Sequence, residues 1–209
     1  LEFTDDSLKK DKEIVLEAVK QYGGALEFAD DSLKKDKEIV LEAVNTWENF
    51  GDEDGDALKY ADDSLKKDEE IVLAAVKNHG HALEFADDSF KKDKDLVLEI
   101  VKIEGNALQF ADDSLKKDKE VVLEAVKNKS QRGYASDVLK YADDSLKKDK
   151  EIVLEAVKND GSAILYADES LKKDKEFVLA AVKQDVSVLD YVDDSLKNNL
   201  DILAIVNQG

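Results

Sequence analysis

The apolar positions of the chain follow a helical period within short blocks. In the block that begins at Asp36, the apolar residues recur at i, i+1, i+4 and i+5, which is one stripe of an α-helix and not the alternation of a strand. The stripe consists of Ile39, Val40, Ala43 and Val44. Asp36 stands where an N-cap is expected, and Gly23 follows the equivalent earlier block at the C′ position. The pattern predicts a helix near residues 36–45.

A shorter helix is predicted near residues 25–31. Leu26, Ala29 and Leu33 lie at i, i+3 and i+7 and form its apolar face. The residue before its Ala-Leu pair is small or polar in each copy, as with Asn106 and Ser162, and is expected to be its N-cap. Because about seven helical residues are not stable alone, each unit must bury its apolar face against its neighbours.

The two helices belong to a repeat. The string Asp-Asp-Ser begins at positions 5, 30, 62, 87, 112, 143 and 193, and Asp168-Glu169-Ser170 is a near copy, which gives eight units. A unit of 25 residues carries insertions of seven and six residues, within 45–56 and 127–137. We predict an all-α fold, an α-solenoid or compact helical-repeat array of eight two-helix units, with residues 1–209 as a single array.

The polar positions vary less among the copies than the core does. The core position of Ile39 is also occupied by Leu96, Val121 and Phe177, whereas the position of Ser32 is Ser in all eight units and that of Lys34 is Lys in all eight. One interpretation is structural: Asp and Ser end the first helix, Leu33 and its copies fill the core, Asp36 caps the second helix, and lysines pair with aspartates of the next unit. The other is a strip of charges that binds a partner or cations. The buried copies are expected to be Leu65, Leu115, Leu146 and Leu171.

The ordered motif resembles a known repeat family. The residues that carry the resemblance are Ala25-Leu26-Glu27-Phe28-Ala29, Leu33, Asp36 and Ile39-Val40-Leu41-Glu42-Ala43-Val44. They resemble tandem repeats of about 25 residues, of the type A-L-x-Y-A-S-x-x-L-x-x-D-x-x-V-V-x-x-A-V, that are known only as a domain of unknown function. This chain has Asp-Asp-Ser where that pattern has Ser-x-x. The resemblance implies helical repeats and brings no catalytic residues.

Charge and composition exclude several classes of binding partner and of metal site. With 31 basic and 50 acidic side chains the formal charge is −19, which disfavours nucleic acid and anionic membranes. The absence of cysteine excludes disulfides and thiolate metal sites. No apolar run approaches the ~18 residues of a membrane span, so no membrane insertion is expected. The first residues, Leu1 to Asp6, contain neither an initiator Met nor a signal sequence, which indicates a mature chain or a fragment.

Catalytic chemistry is not indicated. The only histidines, His79 and His81, flank Gly80 in one inter-unit turn, and we interpret them as exposed turn residues. No Ser/His or Cys/His nucleophile system is present, and identical repeated carboxylates offer no singular pair with separated pKa values. We therefore predict that the protein is not an enzyme and has no cofactor.

Calcium is the strongest candidate among metals. Asp52, Asp54 and Asp56 alternate in the first insertion, as in a loop of oxygen ligands. An EF-hand that starts at Asp52 would need Gly at position 57 and Glu at position 63. The chain has Ala57 and Asp63 there, so both requirements fail. A solvated acidic loop is the favoured interpretation, and an acidic calcium-binding array is the alternative function.

The insertions supply the candidate interaction residues. The first has a charge of −5 and contains Trp47 and Phe50, and the second has a charge of +2 and contains Arg132 and Tyr134. Trp, Tyr and Arg are enriched at interaction hot spots, although insertions in a repeat array also occur as plain surface loops.

The sequence predicts a non-enzymatic structural or interaction protein. It would act as a scaffold or as a self-assembling building block of an oligomer or filament, and its partner would be a protein, including another copy stacked end to end. The self-assembly hypothesis rests on ends without a polar cap, because Leu1-Glu2-Phe3 is expected to lie already inside a first helix and Asn198-Asn199-Leu200 replaces the Lys-Asp-Lys run in the last repeat.

Overall fold

The computed structural model describes residues 1–46, 57–128 and 137–206. Over these ranges the regular elements are all helices and no strand occurs, so the predicted all-α helical-repeat fold is confirmed. The chain forms two compact units, Leu1–Lys91 and Lys92–Gly209. The first unit holds three repeats and the beginning of the fourth, and the second unit holds the remainder. The single array over 1–209 stays a prediction.

Each repeat contributes one long α-helix. In the first unit these are α1 (Lys12–Gln21), α2 (Lys37–Asn45) and α3 (Glu69–Asn78). In the second unit they are α4 (Lys94–Ile103), α5 (Lys119–Lys127), α6 (Lys150–Asn159), α7 (Lys175–Gln184) and α8 (Leu200–Val206). Within each unit, a long helix packs against the next one along the chain.

The predicted stripe forms the core, and the predicted Asp begins the helix. On α2, Ile39, Val40, Ala43 and Val44 are all buried. The Asp36 carboxylate accepts hydrogen bonds from the backbone N–H groups of Glu38 and Ile39, at 3.0 and 3.4 Å. These bonds satisfy donors that have no partner inside the helix. The helix near 36–45 is therefore confirmed.

The predicted first helix is wrong in type and extent. A 3₁₀ helix occupies Gly23–Phe28, and a separate helical turn follows the Asp-Asp-Ser string. Backbone at Ala29 is extended, with φ −70° and ψ 153°, and the next N–H, of Asp30, donates to the Lys9 carbonyl oxygen of the preceding repeat at 3.0 Å. Because this N–H is used between repeats, it is not available to continue the helix.

The same break recurs in other repeats. The 3₁₀ helices equivalent to that of the second repeat are Gly80–Phe85, Gly105–Phe110, Gly161–Tyr166 and Val186–Asp190. Short α-helices, Ala57–Tyr60 and Asp137–Tyr141, occupy the corresponding place after the two insertions. One-turn helices follow at Asp6–Lys9, Leu65–Lys67, Asp88–Lys91, Asp113–Lys116, Leu146–Lys148, Glu169–Lys172 and Asp194–Lys197.

The N-caps of the 3₁₀ helices also differ from the prediction. The helices at Gly23, Gly80, Gly105 and Gly161 begin at the glycine itself, and the one in the last repeat begins at Val186. Asn106 and Ser162 therefore lie inside the helix, and the N-cap positions are Glu104 and Asp160. Close packing requires the glycine, since a Cβ on Gly105 would collide with the Ala125 carbonyl oxygen of the next repeat. An approach this close leaves room only for hydrogen.

Candidate interaction surface

The Asp-Asp-Ser string starts each one-turn helix. In the string that begins at Asp112, the Asp112 carboxylate accepts two hydrogen bonds from Ser114. The backbone N–H donates one at 3.0 Å, and the hydroxyl Oγ donates the other at 2.7 Å. The hydroxyl and the N–H of Ser114 lower the pKa of Asp112, because they stabilise the ionised carboxylate. Asp113, one residue later, pairs with Lys116 at 3.4 Å. The string therefore starts this helical turn. The interpretation from the sequence, that Asp and Ser end the first helix, is wrong.

In five repeats, a lysine links the Asp that caps the long helix to the preceding repeat. Lys12 Nζ lies 2.7 Å from Asp36 Oδ2 and 2.8 Å from Glu38 Oε2, so one ammonium group bridges two carboxylates at the start of α2. The hydrogen bond from Lys12 lowers the pKa of Asp36, and the same contact raises the pKa of Lys12. Equivalent bridges join Lys37 to Asp68, Lys94 to Asp118, Lys119 to Asp149 and Lys150 to Asp174.

Backbone hydrogen bonds also join neighbouring repeats. The N–H of Asp143 donates to the Lys116 carbonyl oxygen of the preceding repeat at 3.0 Å. The same bond joins Asp30 to Lys9, Asp62 to Lys34, Asp87 to Lys66, Asp168 to Lys147 and Asp193 to Lys172. The polar segment thus contributes backbone hydrogen bonds and ion pairs between neighbouring repeats.

The leucine inside the polar segment is buried in most copies. Leu33, Leu65, Leu115 and Leu171 are buried, as predicted. Leu146 is only partly covered, so the prediction is wrong at that position. The segment is consequently an integral part of the core in at least four repeats.

Each repeat also presents an aromatic ring beside the polar segment. The ring lies two residues before the first Asp of the string, and in six repeats it is half-buried, at Phe28, Tyr60, Phe85, Phe110, Tyr141 and Tyr166. Its equivalent in the last repeat, Tyr191, is exposed. Sequence reasoning did not assign this position to the surface, although an aromatic residue in every repeat was a signal for it.

Two shallow grooves in the first unit contain such a ring. One, of about 320 Å³, is lined by Tyr60 together with Asp31, Lys34 and Lys35 of the preceding repeat. The other, of about 420 Å³, is lined by Phe85 together with Asp63, Lys66 and Lys67. Asp63 lines both grooves, so they follow one another along the unit.

The histidines are more covered than predicted. Both His79 and His81 are half-buried, and His81 Nε2 lies 3.1 Å from Glu84 Oε2. The His81 ring also meets Phe85 edge-on, with ring centroids 6.1 Å apart. Neighbouring side chains of the 3₁₀ helix therefore cover a residue that the sequence alone placed in an exposed turn.

The candidate residues of the two insertions lie outside the described residues. They are Trp47, Phe50, Asp52, Asp54, Asp56, Arg132 and Tyr134. Among the residues that the structure does describe, no group of three or more His, Asp or Glu is arranged to hold a metal ion. Over the same part of the chain, no helix is both long and apolar enough to traverse a lipid bilayer.

The comparisons with known proteins identify the repeat. No curated protein and no solved structure matches the chain. The family model described as "Domain of unknown function (DUF4116)" matches residues 1–34, 11–50, 52–91, 93–147, 130–172 and 149–197. These matches cover most of the chain and recur along it, in agreement with the repeats of the structure. The chain therefore belongs to the DUF4116 family.

Proposed function

We propose that the chain is a non-enzymatic helical-repeat scaffold that binds other proteins through its surface. The observation that carries the proposal is the aromatic ring that each repeat presents at one position, half-buried in six of them. Aromatic side chains offer a large contact area at a low cost in conformational entropy and are enriched at interaction hot spots. A ring repeated at regular intervals suits an elongated partner.

The use of the charged residues supports a role without catalysis. The carboxylates of the polar segment cap helices and bind lysines of the neighbouring repeat, as in Asp36 with Lys12. General acid–base catalysis needs two groups whose surroundings push their pKa values apart. Here Asp36, Asp68 and Asp174 share one environment, a lysine of the preceding repeat, and the pKa of each is shifted in the same direction, downward.

End-to-end assembly would need the last repeat of one copy to pack on the first repeat of another. Ile14 of the first repeat is 39% exposed, whereas its equivalent Ile39 is fully buried, so an apolar face is open at α1. A second copy stacked there would bring its last repeat against Asp11. That repeat carries Leu200 at a position where six other repeats carry lysine and the third carries Glu69, so Asp11 would lack a lysine partner from this position.

Sedimentation and light scattering distinguish a monomeric scaffold from an end-to-end assembly. A scaffold is expected to sediment as a monomer of 23.3 kDa at micromolar concentration, independent of concentration and salt. A mass that grows with concentration would replace the scaffold with a self-assembling block. Calcium and magnesium at equal ionic strength are expected to change the melting temperature equally, and a specific calcium effect would favour the cation-binding alternative.

Selection from a random-peptide display library tests protein binding itself. The scaffold proposal expects enriched peptides whose binding weakens when the rings of Tyr60 and Phe85 are replaced by leucine. Leucine keeps apolar bulk at both positions, which limits the effect on folding. A library without any enriched peptide, together with a monomeric chain, would contradict the proposal.

A further inference from the structure

The two grooves of the first unit form one path past two rings. The path starts at Asp31, passes Tyr60 and Asp63, and continues past Phe85 to Lys91. Since each groove is shallow and open, an extended chain fits the path better than a compact small molecule does. The repeat also places the same residue types at corresponding points of both grooves.

The carboxylates along the path are more accessible than the lysines that pair with them. The side chains of Asp31 and Asp63 are 95% and 92% exposed. Their partners Lys34 and Lys66, at 3.7 and 3.1 Å, are each only 23% exposed. Asp88 and Lys91 repeat this arrangement at the end of the path.

The other two lysines of the path belong to the repeat-to-repeat contacts. Lys35 lies 3.7 Å from Asp62, and Lys67 lies 3.6 Å from Asp87. Both are more exposed than their carboxylate partners, yet each is held by a charge of opposite sign. The outermost acidic groups of the path are therefore Asp31, Asp63 and Asp88.

The charge of the first unit favours a basic partner. Residues 1–91 contain 25 acidic and 12 basic side chains, a net charge of −13, whereas residues 92–209 contain 25 and 19, a net charge of −6. Most of the excess negative charge thus belongs to the unit that carries both grooves. A field of this sign attracts cationic segments and raises their association rate.

We propose that the path from Asp31 to Lys91 binds an extended basic peptide segment of a protein partner, an inference that rests on the proposed scaffold function. Basic side chains of the segment pair with Asp31, Asp63 and Asp88, and the rings of Tyr60 and Phe85 pack against them. Arginine suits both contacts, because its guanidinium binds carboxylates through two hydrogen bonds and stacks on aromatic faces. Lys59 Nζ, 5.5 Å from the Tyr60 centroid, shows that a cation reaches this ring.

Fluorescence anisotropy with a dye-labelled synthetic peptide tests the charge requirement on the full chain. The peptide carries arginine at every third position in a glycine and serine background, and its control carries glutamate at the same positions. The arginine peptide is expected to bind and to lose about tenfold in affinity from ~50 to ~200 mM salt, since exposed charges are screened. Absence of binding by the arginine peptide would overturn the inference.

A pair of charge-matched variants separates the path from bulk attraction. The variant D31N/D63N/D88N removes three charges along the path, and E13Q/E17Q/E42Q removes three charges from α1 and α2 of the same unit. The first is expected to weaken binding by about tenfold and the second by less than about threefold, as for local and distant charge pairs. Equal losses would show that net charge alone attracts the peptide.

A second pair of variants tests the rings. Y60L/F85L is expected to weaken binding by about fivefold, because its rings line the path and contact the arginines of the peptide. Y141L/Y166L, in the second unit, is expected to leave binding unchanged, because these rings do not line the path. Unchanged binding by Y60L/F85L would overturn the inference. Displayed peptides that are enriched but lack basic residues would also overturn it while leaving the scaffold proposal in place.

Discussion

Lys37 and Asp68 are 31 residues apart in the sequence, and Lys37 Nζ lies 2.8 Å from Asp68 Oδ2. Lys12 and Asp36, only 24 residues apart, make the same bridge at 2.7 Å. The first insertion lies between Lys37 and Asp68, and it leaves the contact between the second and third repeats unchanged. The ladder of bridges therefore depends on the repeat and not on the length of the connection.

Removal of residues 47–53 is therefore expected to leave the fold intact. The deletion joins Thr46 to Asp54, restores the spacing of 25 residues and puts Gly55 in the sequence position of Gly23. Because loop length contributes only about 0.6 kcal/mol per doubling, the free energy of unfolding should change by less than about 1 kcal/mol. Urea unfolding followed by circular dichroism measures the change.

A deletion of equal length inside a repeat is the control. Removal of residues 26–32 takes away the fully buried Leu26 and the Asp30 N–H that donates to the Lys9 carbonyl oxygen of the preceding repeat. This variant is expected to lose the cooperative transition of the first unit. Equal stability of the two deletions would contradict the ladder as the source of the repeat contacts.

Substitutions at Asp36 separate its two roles. Asn caps helices well but carries no charge, so Asp36→Asn should cost about 1 kcal/mol or less, the range of an exposed ion pair. Asp36→Ala also loses the hydrogen bonds to Glu38 and Ile39, and should cost a further ~0.5–2 kcal/mol. Urea unfolding of both variants tests whether Asp36→Ala lowers the free energy of unfolding more than Asp36→Asn does.

Lys12→Ala in the Asp36→Asn background is the control for the bridge. The contact with Asp36 is already broken in that background and only the contact of Lys12 with Glu38 remains, so the added substitution should lower the free energy of unfolding less than it does in the wild type. Full additivity of the two substitutions would show that Lys12 and Asp36 do not interact in solution.

The lowered pKa values of Asp36 and Asp68 predict a loss of stability in acid. Hydrogen bonds from Lys12 and Lys37 hold these pKa values below the ordinary 3.8 in the folded state. The unfolded chain therefore binds more protons as the pH falls below about 4, and the stabilisation, complete above that pH, is lost through the folded pKa. Thermal unfolding of the wild type and of D36N/D68N from neutral pH downward measures this loss.

The difference in melting temperature between the wild type and D36N/D68N separates the contribution of these two carboxylates from the general effect of acid. It should be constant at neutral pH and disappear in strong acid, where the wild-type carboxylates are protonated. The pKa values of Lys12 and Lys37 are raised in the folded state, so the same bridges also lose their stabilising effect at high pH, as the pH rises above about 10.5. A difference that does not decrease as the pH falls below about 4 would contradict the ion-pair explanation.

Leu115 and Leu146 form a matched pair for the core. Leu115 is 6% exposed, whereas its equivalent Leu146 is only partly covered. Leu115→Ala should cost about 2–5 kcal/mol because it removes a buried side chain and leaves a cavity, and Leu146→Ala should cost less. Chemical unfolding gives both values, and a cost under about 0.5 kcal/mol at Leu115 would show that the polar segment is a solvated loop.

Gly105 tests the close approach of neighbouring repeats. A Cβ at this position meets the Ala125 backbone, which cannot move without shifting α5, so Gly105→Ala should destabilise the second unit by ~1–3 kcal/mol. At Gly24 the Cβ meets only the far end of the Tyr22 ring, which can rotate away. Melting temperatures compare the variants, and equal effects of Gly105→Ala and Gly24→Ala would argue against a packing requirement.

The sequence by itself determined the repeat, the helical class, the long helix near 36–45 and its Asp36 cap. Each of these depends on local spacing: a helical stripe needs only neighbours within two turns, and a cap needs only the next three residues. The predicted pairing of lysines with aspartates of the next repeat also holds in the structure, since a strict repeat brings equivalent positions together.

Only the tertiary structure decided where the first helix breaks, why Gly105 is glycine and which rings reach the surface. The Asp30 N–H that ends the 3₁₀ helix is bound by Lys9, 21 residues earlier in the chain, and the atom that excludes a side chain from Gly105 belongs to Ala125 of the next repeat. Such contacts carry no local signal, because they depend on how successive repeats stack. The aromatic residue in each repeat was visible in the sequence, but its half-exposed position depends on the same stacking.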